Sequence, residues 1–184
     1  IAGDTNGTVT VQNKIDINGT AAAVAAAVGV VDSFSNTPTA DATLSNNHDL
    51  GYLKTINNAI SGTITLNSYN VALSGSTADV KAALAGTFAT GYNGNVTLTD
   101  DADDAPVPAS DLTTIAGYTD GDVIVKSTMK ITGTSAEVVA AVGNVNTFSG
   151  AATATLSDAH TLTQLKAINN AISGVITLSS YNVA

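Results

Sequence analysis

The property that most limits what this chain can fold into is its repetition. Residues 42–72 read ATLSNNHDLGYLKTINNAISGTITLNSYNVA, and residues 154–184 read ATLSDAHTLTQLKAINNAISGVITLSSYNVA, an ungapped match at an offset of 112. Upstream, Val9 to Phe34 matches Val123 to Phe148 at an offset of 114; the two-residue difference falls in the Ser-Asn-Thr-Pro loop around Pro38. A shorter period lies inside this one. An apolar–Thr–apolar signature recurs at Val9-Thr10-Val11, Ala42-Thr43-Leu44, Ile64-Thr65-Leu66, Val96-Thr97-Leu98, Ala154-Thr155-Leu156 and Ile176-Thr177-Leu178, with Val123-Ile124-Val125 as its variant. Successive signatures begin about 20–35 residues apart, the length of a solenoid turn. Units this short cannot bury a core alone, so they are expected to stack on one another.

Each turn also carries a helical stripe. Apolar residues at three- and four-residue spacing are Val24, Val28 and Val31; Leu50, Leu53, Ile56 and Ile60; Val80, Leu84 and Phe88; Val138, Val142 and Val145; and Leu162, Leu165, Ile168 and Ile172. This is the pattern of a helix buried on one side. The fourth turn has only Leu112, Ile115 and Tyr118 after Ser110. Ser76 with Asp79, Thr134 with Glu137, and Thr161 with Gln164 are spaced as capping boxes. Gly62 and Gly174 stand where a left-handed residue ends a helix. Longer turns add a second apolar alternation before the helix, at Ile15/Ile17, Val71/Leu73 and Met129/Ile131.

Equivalent strands separated by helices should be parallel and their crossovers right-handed. The expected fold is therefore an open right-handed α/β solenoid, with a parallel sheet on one side and helices on the other. It is expected to be one continuous unit of about seven turns, bounded near 7–38, 39–61, 62–93, 94–120, 121–150, 151–173 and 174–184. At the two edges, Ile1-Ala2-Gly3 aligns with Ile115-Ala116-Gly117, and Tyr181-Asn182-Val183-Ala184 matches the residues leading into Leu73-Ser74-Gly75. The pattern thus predicts a window from a longer array.

Composition narrows the function classes. The net charge is −9, with six Lys, no Arg, fourteen Asp and one Glu, which argues against recognition of a nucleic-acid backbone. The absence of Cys removes disulfides, thiolate catalysis and thiolate-bound metals. The longest apolar stretch, Ala21 to Val31, is too short to cross a bilayer, so no membrane insertion is expected. Aromatic residues make up 4% and charged residues 11% of the chain, leaving little material for a catalytic site, and no enzyme is expected.

The densest acidic run is Asp100, Asp101, Asp103 and Asp104. Clustered carboxylates are candidate calcium ligands, although this spacing fits neither an EF-hand nor a calcium-binding β-roll. A solvated, self-repelling loop is the plainer reading. No other cofactor is indicated: Gly91-Tyr92-Asn93-Gly94 lacks the context and lysine of a phosphate loop. A second candidate is the ladder Thr10, Thr43, Thr65, Thr97, Thr155 and Thr177, which alternation places on the outer sheet face at one residue per turn. Such a face suits lateral packing, a glycan or ice. Against ice, the neighbouring column Thr8, Thr63 and Thr153 is broken by Asp41, Asn95, Asp122 and Val175. Threonine also simply favours exposed strand positions. His48 and His160 occupy equivalent positions; four strand spacings separate them by roughly 19 Å, too far to share a metal. Each is expected in a polar loop or cap. Asn57-Asn58 and Asn169-Asn170 are expected to hydrogen-bond along the stack.

The segments LSGSTADVKAALAG and LTQLKAINNAISGVITLSSYNVA resemble repeats in very large secreted or cell-surface proteins of bacteria, marine cyanobacteria in particular. The likeness runs through essentially the whole chain and is one of repeat style, so it transfers no functional residue. It implies an extracellular or cell-surface location and a scaffolding or adhesive task. The expected function is that of a structural repeat segment serving as a spacer, filament or adhesin stalk. Its expected partners are further copies of the repeat or neighbouring chains. The rival is a binding module using the acidic loop for calcium or the Thr-rich face for glycan or ice.

Overall fold

The computed structural model describes residues 7–35 and 37–179. The aligned segments Ile1-Ala2-Gly3 and Tyr181-Asn182-Val183-Ala184 lie outside the described residues. The chain begins with β1 (Thr10–Val11), β2 (Ile15–Gly19), α1 (Ala21–Gly29), β3 (Ser33–Phe34), β4 (Ala40–Leu44) and α2 (Leu50–Ala59). Next come β5 (Thr63–Thr65), β6 (Leu73–Gly75), α3 (Thr77–Leu84), β7 (Thr87–Phe88), β8 (Val96–Leu98), β9 (Val107–Pro108) and α4 (Ala109–Tyr118). Last are β10 (Val123–Val125), β11 (Lys130–Gly133), α5 (Ser135–Asn144), β12 (Thr147–Phe148), β13 (Thr153–Leu156), α6 (Leu162–Ala171) and β14 (Ile176–Leu178). Among the described residues, no helix is long and apolar enough to cross a membrane.

The helices start where side-chain oxygens accept bonds from amides that a first turn leaves without partners. Thr20 accepts from the Ala23 amide at 3.2 Å and Asp49 from the Tyr52 amide at 2.8 Å. Thr134 with Glu137 and Thr161 with Gln164 form complete capping boxes. The third expected box is only half made: Ser76 accepts from the Asp79 amide, but the Asp79 carboxylate is held by Lys54 of α2. That bond also keeps Asp79 below the usual carboxylate pKa. α4 starts after Pro108 without a side-chain cap, in keeping with its weaker pattern.

Two expectations about helix ends change. Val31 and Phe88 lie outside the helices, Phe88 belonging to β7. Among the described residues no glycine has positive φ, so Gly62 and Gly174 do not end their helices in a left-handed conformation. The need for glycine there is steric. A Cβ on Gly62 would overlap the Ala40 carbonyl, and one on Gly174 the Ala151 and Ala152 carbonyls. Both residues pass close against the backbone where the preceding strand begins.

All the strand pairings are parallel among the described residues, and each joins strands one short step apart along the chain, as Ala42 with Ile64 and Val96 with Val123. The single sheet expected from the repeat is instead several: β2-β4-β5-β7, β6-β8-β10-β12, β9-β11-β13-β14 and the pair β1-β3. The reason lies in two unequal spacings. Helix N-caps fall at Thr20, Asp49, Ser76, Pro108, Thr134 and Thr161, a longer step than most strand partners make. A column of paired strands therefore slides along the repeating unit. β2 and β4 precede their helices, whereas β5 and β7 follow theirs; β9, β11 and β13 precede helices, and β14 follows one. When the slack is enough for another strand, a new sheet opens in front of the helix, as at β6 and β9. Pro108, which cannot donate to a ladder, sits in edge strand β9.

Helices contact one another in chain order, α1 with α2 through α5 with α6. Alternation along the strands sends Ala42, Leu44, Ile64, Leu66, Val96, Leu98, Val123, Val125, Ala154 and Leu156 inward, each at 5% exposure or less. They meet Val24, Leu53, Ile56, Val80, Leu112, Val138 and Ile168 from the helices in one core. Fully buried alanines such as Ala83 and Ala141 keep the core side chains small, and Tyr92 is the one fully enclosed aromatic among the described residues.

Candidate interaction surface

Asp100 is 8% exposed, and its Oδ2 accepts from the Thr77 amide at 2.7 Å and the Thr77 hydroxyl at 2.6 Å. Thr77 opens α3, so this carboxylate satisfies an orphan helix amide from the neighbouring unit. The same device recurs. Asn46 Oδ1 accepts from the Ala21 amide at 2.8 Å and Asp158 Oδ1 from the Ser135 amide at 2.7 Å. The first amides of α1, α3 and α5 are thus capped from the unit that follows. Sequence inspection missed this column because its partners are far apart in the chain, beyond the reach of any local capping motif.

The other acidic residues of the run, Asp101, Asp103 and Asp104, are exposed. Asp101 Oδ1 accepts from the Asp103 amide at 2.9 Å, and Asp104 Oδ2 from the Asp101 amide at 3.0 Å. These are local turn bonds. Ser127 donates to the Asp100 carbonyl, and the Ala102 amide donates to Thr128 at 3.1 Å, tying the loop to the next unit. Among the described residues, no three His, Asp or Glu side chains are grouped to hold a metal.

The threonines divide among the sheets. Thr43 pairs with Thr65, Thr155 with Thr132 and Thr177, and Thr97 with Ser74 and Ile124. Thr10 pairs with Ser33, whose hydroxyl donates to it at 3.1 Å. Thr10, Thr43, Thr155 and Thr177 are exposed, and Thr65 and Thr97 half-buried. The sliding of strand columns splits them, so they form short patches rather than one file.

Both histidines are buried, His48 at 4% and His160 at 2% exposure, and the neighbouring Asp49 and Thr161 do the capping. The Tyr92 hydroxyl donates its proton to the Val71 carbonyl. The hydroxyl oxygen therefore accepts, and the neighbouring His48 Nε2 is the donor to it. His48 Nδ1 is then a buried lone pair without a partner. Burial pushes the His48 pKa below its ordinary 6.5, opposed in part by the Asp49 carboxylate. Burial also raises the Tyr92 pKa. Tyr92 also packs against the Phe88 ring, centroids 6.1 Å apart.

An open surface lies at α6 and β14. Leu162, Leu165, Ile176 and Leu178 line an apolar groove of about 590 Å³, with Lys166 and Asn169 at its side. Their counterparts one super-repeat earlier show what this surface is when covered. Leu53 and Ile64 are fully buried and Leu66 is 5% exposed, under α3, β6 and β7. Leu165, Ile176 and Leu178 are only half-buried, and Leu162 is 72% exposed.

Ion pairs also link successive units: Lys14 with Asp41 at 2.7 Å, Lys54 with Asp79, and Lys81 with Asp111 at 2.5 Å. Such exposed pairs fix register more than they stabilise, because water and salt screen them. No family model matches the chain, and no curated protein or solved structure is found to be similar to it.

Proposed function

We propose that the chain is a structural repeat segment of a large extracellular or cell-surface protein, serving as a spacer, filament or adhesin stalk. In this reading it is a right-handed solenoid of about seven turns, and its partners are further repeats or neighbouring chains. Its work is geometric: stacking continues the core, and the number of units sets the length. The observation that carries the reading is the pair of equivalent faces. The residues at α2 and β5 are buried by the unit that follows them, and the same residues at α6 and β14 stand open. A surface kept in this form suits a further unit of the same kind. The interlocking caps and ion pairs described above point the same way, since each joins a unit to its neighbour.

Length scaling tests the proposal. Four strand spacings advance the stack by roughly 19 Å per super-repeat. Tandem chains of one, two and three super-repeats, measured by small-angle X-ray scattering, should gain about that maximum dimension at each step. Growth as a compact body, with the radius of gyration rising as about the 0.38 power of length, refutes it.

A further inference from the structure

We propose that the α6–β14 surface is addressed to one kind of occupant. That occupant is a strand–helix unit with glycine at the positions of Gly75 and Gly86 and aspartate at that of Asp79, and the α1 end of a second copy of this chain does not fit. The proposal rests on the array reading and adds the identity of the neighbour.

The covered copy supplies the argument. Leu50, Lys54 and Asn57 of α2 are matched by Leu162, Lys166 and Asn169 of α6. In the covered copy, a Cβ on Gly75 would overlap Leu50, so that leucine lies against bare backbone. Lys54 pairs with Asp79. Asn57 Nδ2 donates to the Ala82 carbonyl at 2.5 Å, while its Oδ1 takes the space that a Cβ on Gly86 would need. Three side chains of one unit thus read two missing side chains and one carboxylate of the next. On α6 the same three side chains are exposed, and Lys166 and Asn169 have no partner among the described residues.

Among the described residues the other stacking end is α1, and aligning the caps Thr20 and Ser76 compares it with α3. Gly19 matches Gly75 and leaves room for a leucine. Ala23 stands in place of Asp79 and offers Lys166 no charge. Asp32, directly before β3 as Gly86 is directly before β7, puts a side chain where Asn169 requires none. Head-to-tail stacking of two copies therefore loses one contact and collides at another.

The test extends the full chain at its carboxyl end with a copy of residues 73–88. One control extension carries Gly75→Leu, Asp79→Lys and Gly86→Leu within the copy. A second pairing combines Lys166→Asp in the chain with Asp79→Lys alone in the copy. The matched extension should raise Tm by several degrees and slow amide exchange along α6. The control should do neither, Lys166→Asp should weaken the matched extension, and the charge exchange should recover it. The unextended chain should stay monomeric in light scattering. Equal stabilisation by matched and control extensions overturns the address while leaving the array reading to its own length test. Unchanged α6 exchange with the matched extension, or concentration-dependent stacking of the unextended chain, overturns it as well.

Discussion

Leu53 and Leu165 are the same residue in two copies of one repeat, the first fully buried and the second at the edge of the open groove. Truncating each to alanine measures what a neighbouring unit contributes. Leu53→Ala removes a side chain enclosed by α2, α3 and the strands beneath, where such changes cost about 2–5 kcal/mol. A loss of about 3 kcal/mol in a chain of this size lowers Tm by roughly 6–12 °C. Leu165→Ala removes a side chain that already meets water on one side and leaves no closed cavity, so its cost should be about 1 kcal/mol. Urea and thermal unfolding followed by circular dichroism give both numbers. Amide exchange on α6 shows whether the second change acts only locally. If the two substitutions cost the same, the burial of α2 is not supplied by the following unit, and the stacking argument fails.

Other expectations follow from single positions. His48 is held neutral by burial with Nδ1 unpartnered, whereas the unfolded chain protonates near pH 6.5. The unfolded state therefore takes up the proton first, and stability should fall as pH drops below 6.5 toward the folded pKa, with no pH dependence from this group above that range. His48→Gln should flatten that part of the urea-midpoint profile between about pH 8 and 5; an unaltered profile would exclude His48 as its source. Gly62→Ala and Gly174→Ala should each cost more than about 2 kcal/mol, because the new methyl meets backbone carbonyls that cannot retreat. In contrast, Gly143→Ala lies in α5 with no neighbour near the new Cβ, and should stabilise by about 0.5–1 kcal/mol. Matching signs in the two cases would refute the steric assignment. Asp100→Ala should cost about 2 kcal/mol by stranding the buried Thr77 amide and hydroxyl. Millimolar calcium should leave the wild-type Tm unchanged; a calcium-dependent rise would show that the acidic loop binds the ion.

The sequence by itself determined most of what depends on local period, although the helical stripes ran past the helix ends at Val31 and Phe88. The long ungapped match, the apolar–Thr–apolar strands, the helical stripes and the Thr134 and Thr161 capping boxes were all legible. Each is set by neighbours within a few residues, where side-chain alternation and helical geometry leave little freedom. Very short strands such as β3, β7 and β12 were not, since they have no room for alternation and exist only through their pairing partners. The division into several sheets was equally hidden. It follows from the difference between the spacing of strand partners and that of helix caps, and the first of those spacings is known only once partners are assigned. Only the tertiary structure revealed that Gly62 and Gly174 are required by close approach rather than by φ, and that Asp100 works with Asn46 and Asp158 to cap the preceding helices. These contacts join residues in different units, at distances the chain reaches only when one unit lies on the next. The repeat therefore declared that units stack, and the stacked units alone decided which atoms hold them in register.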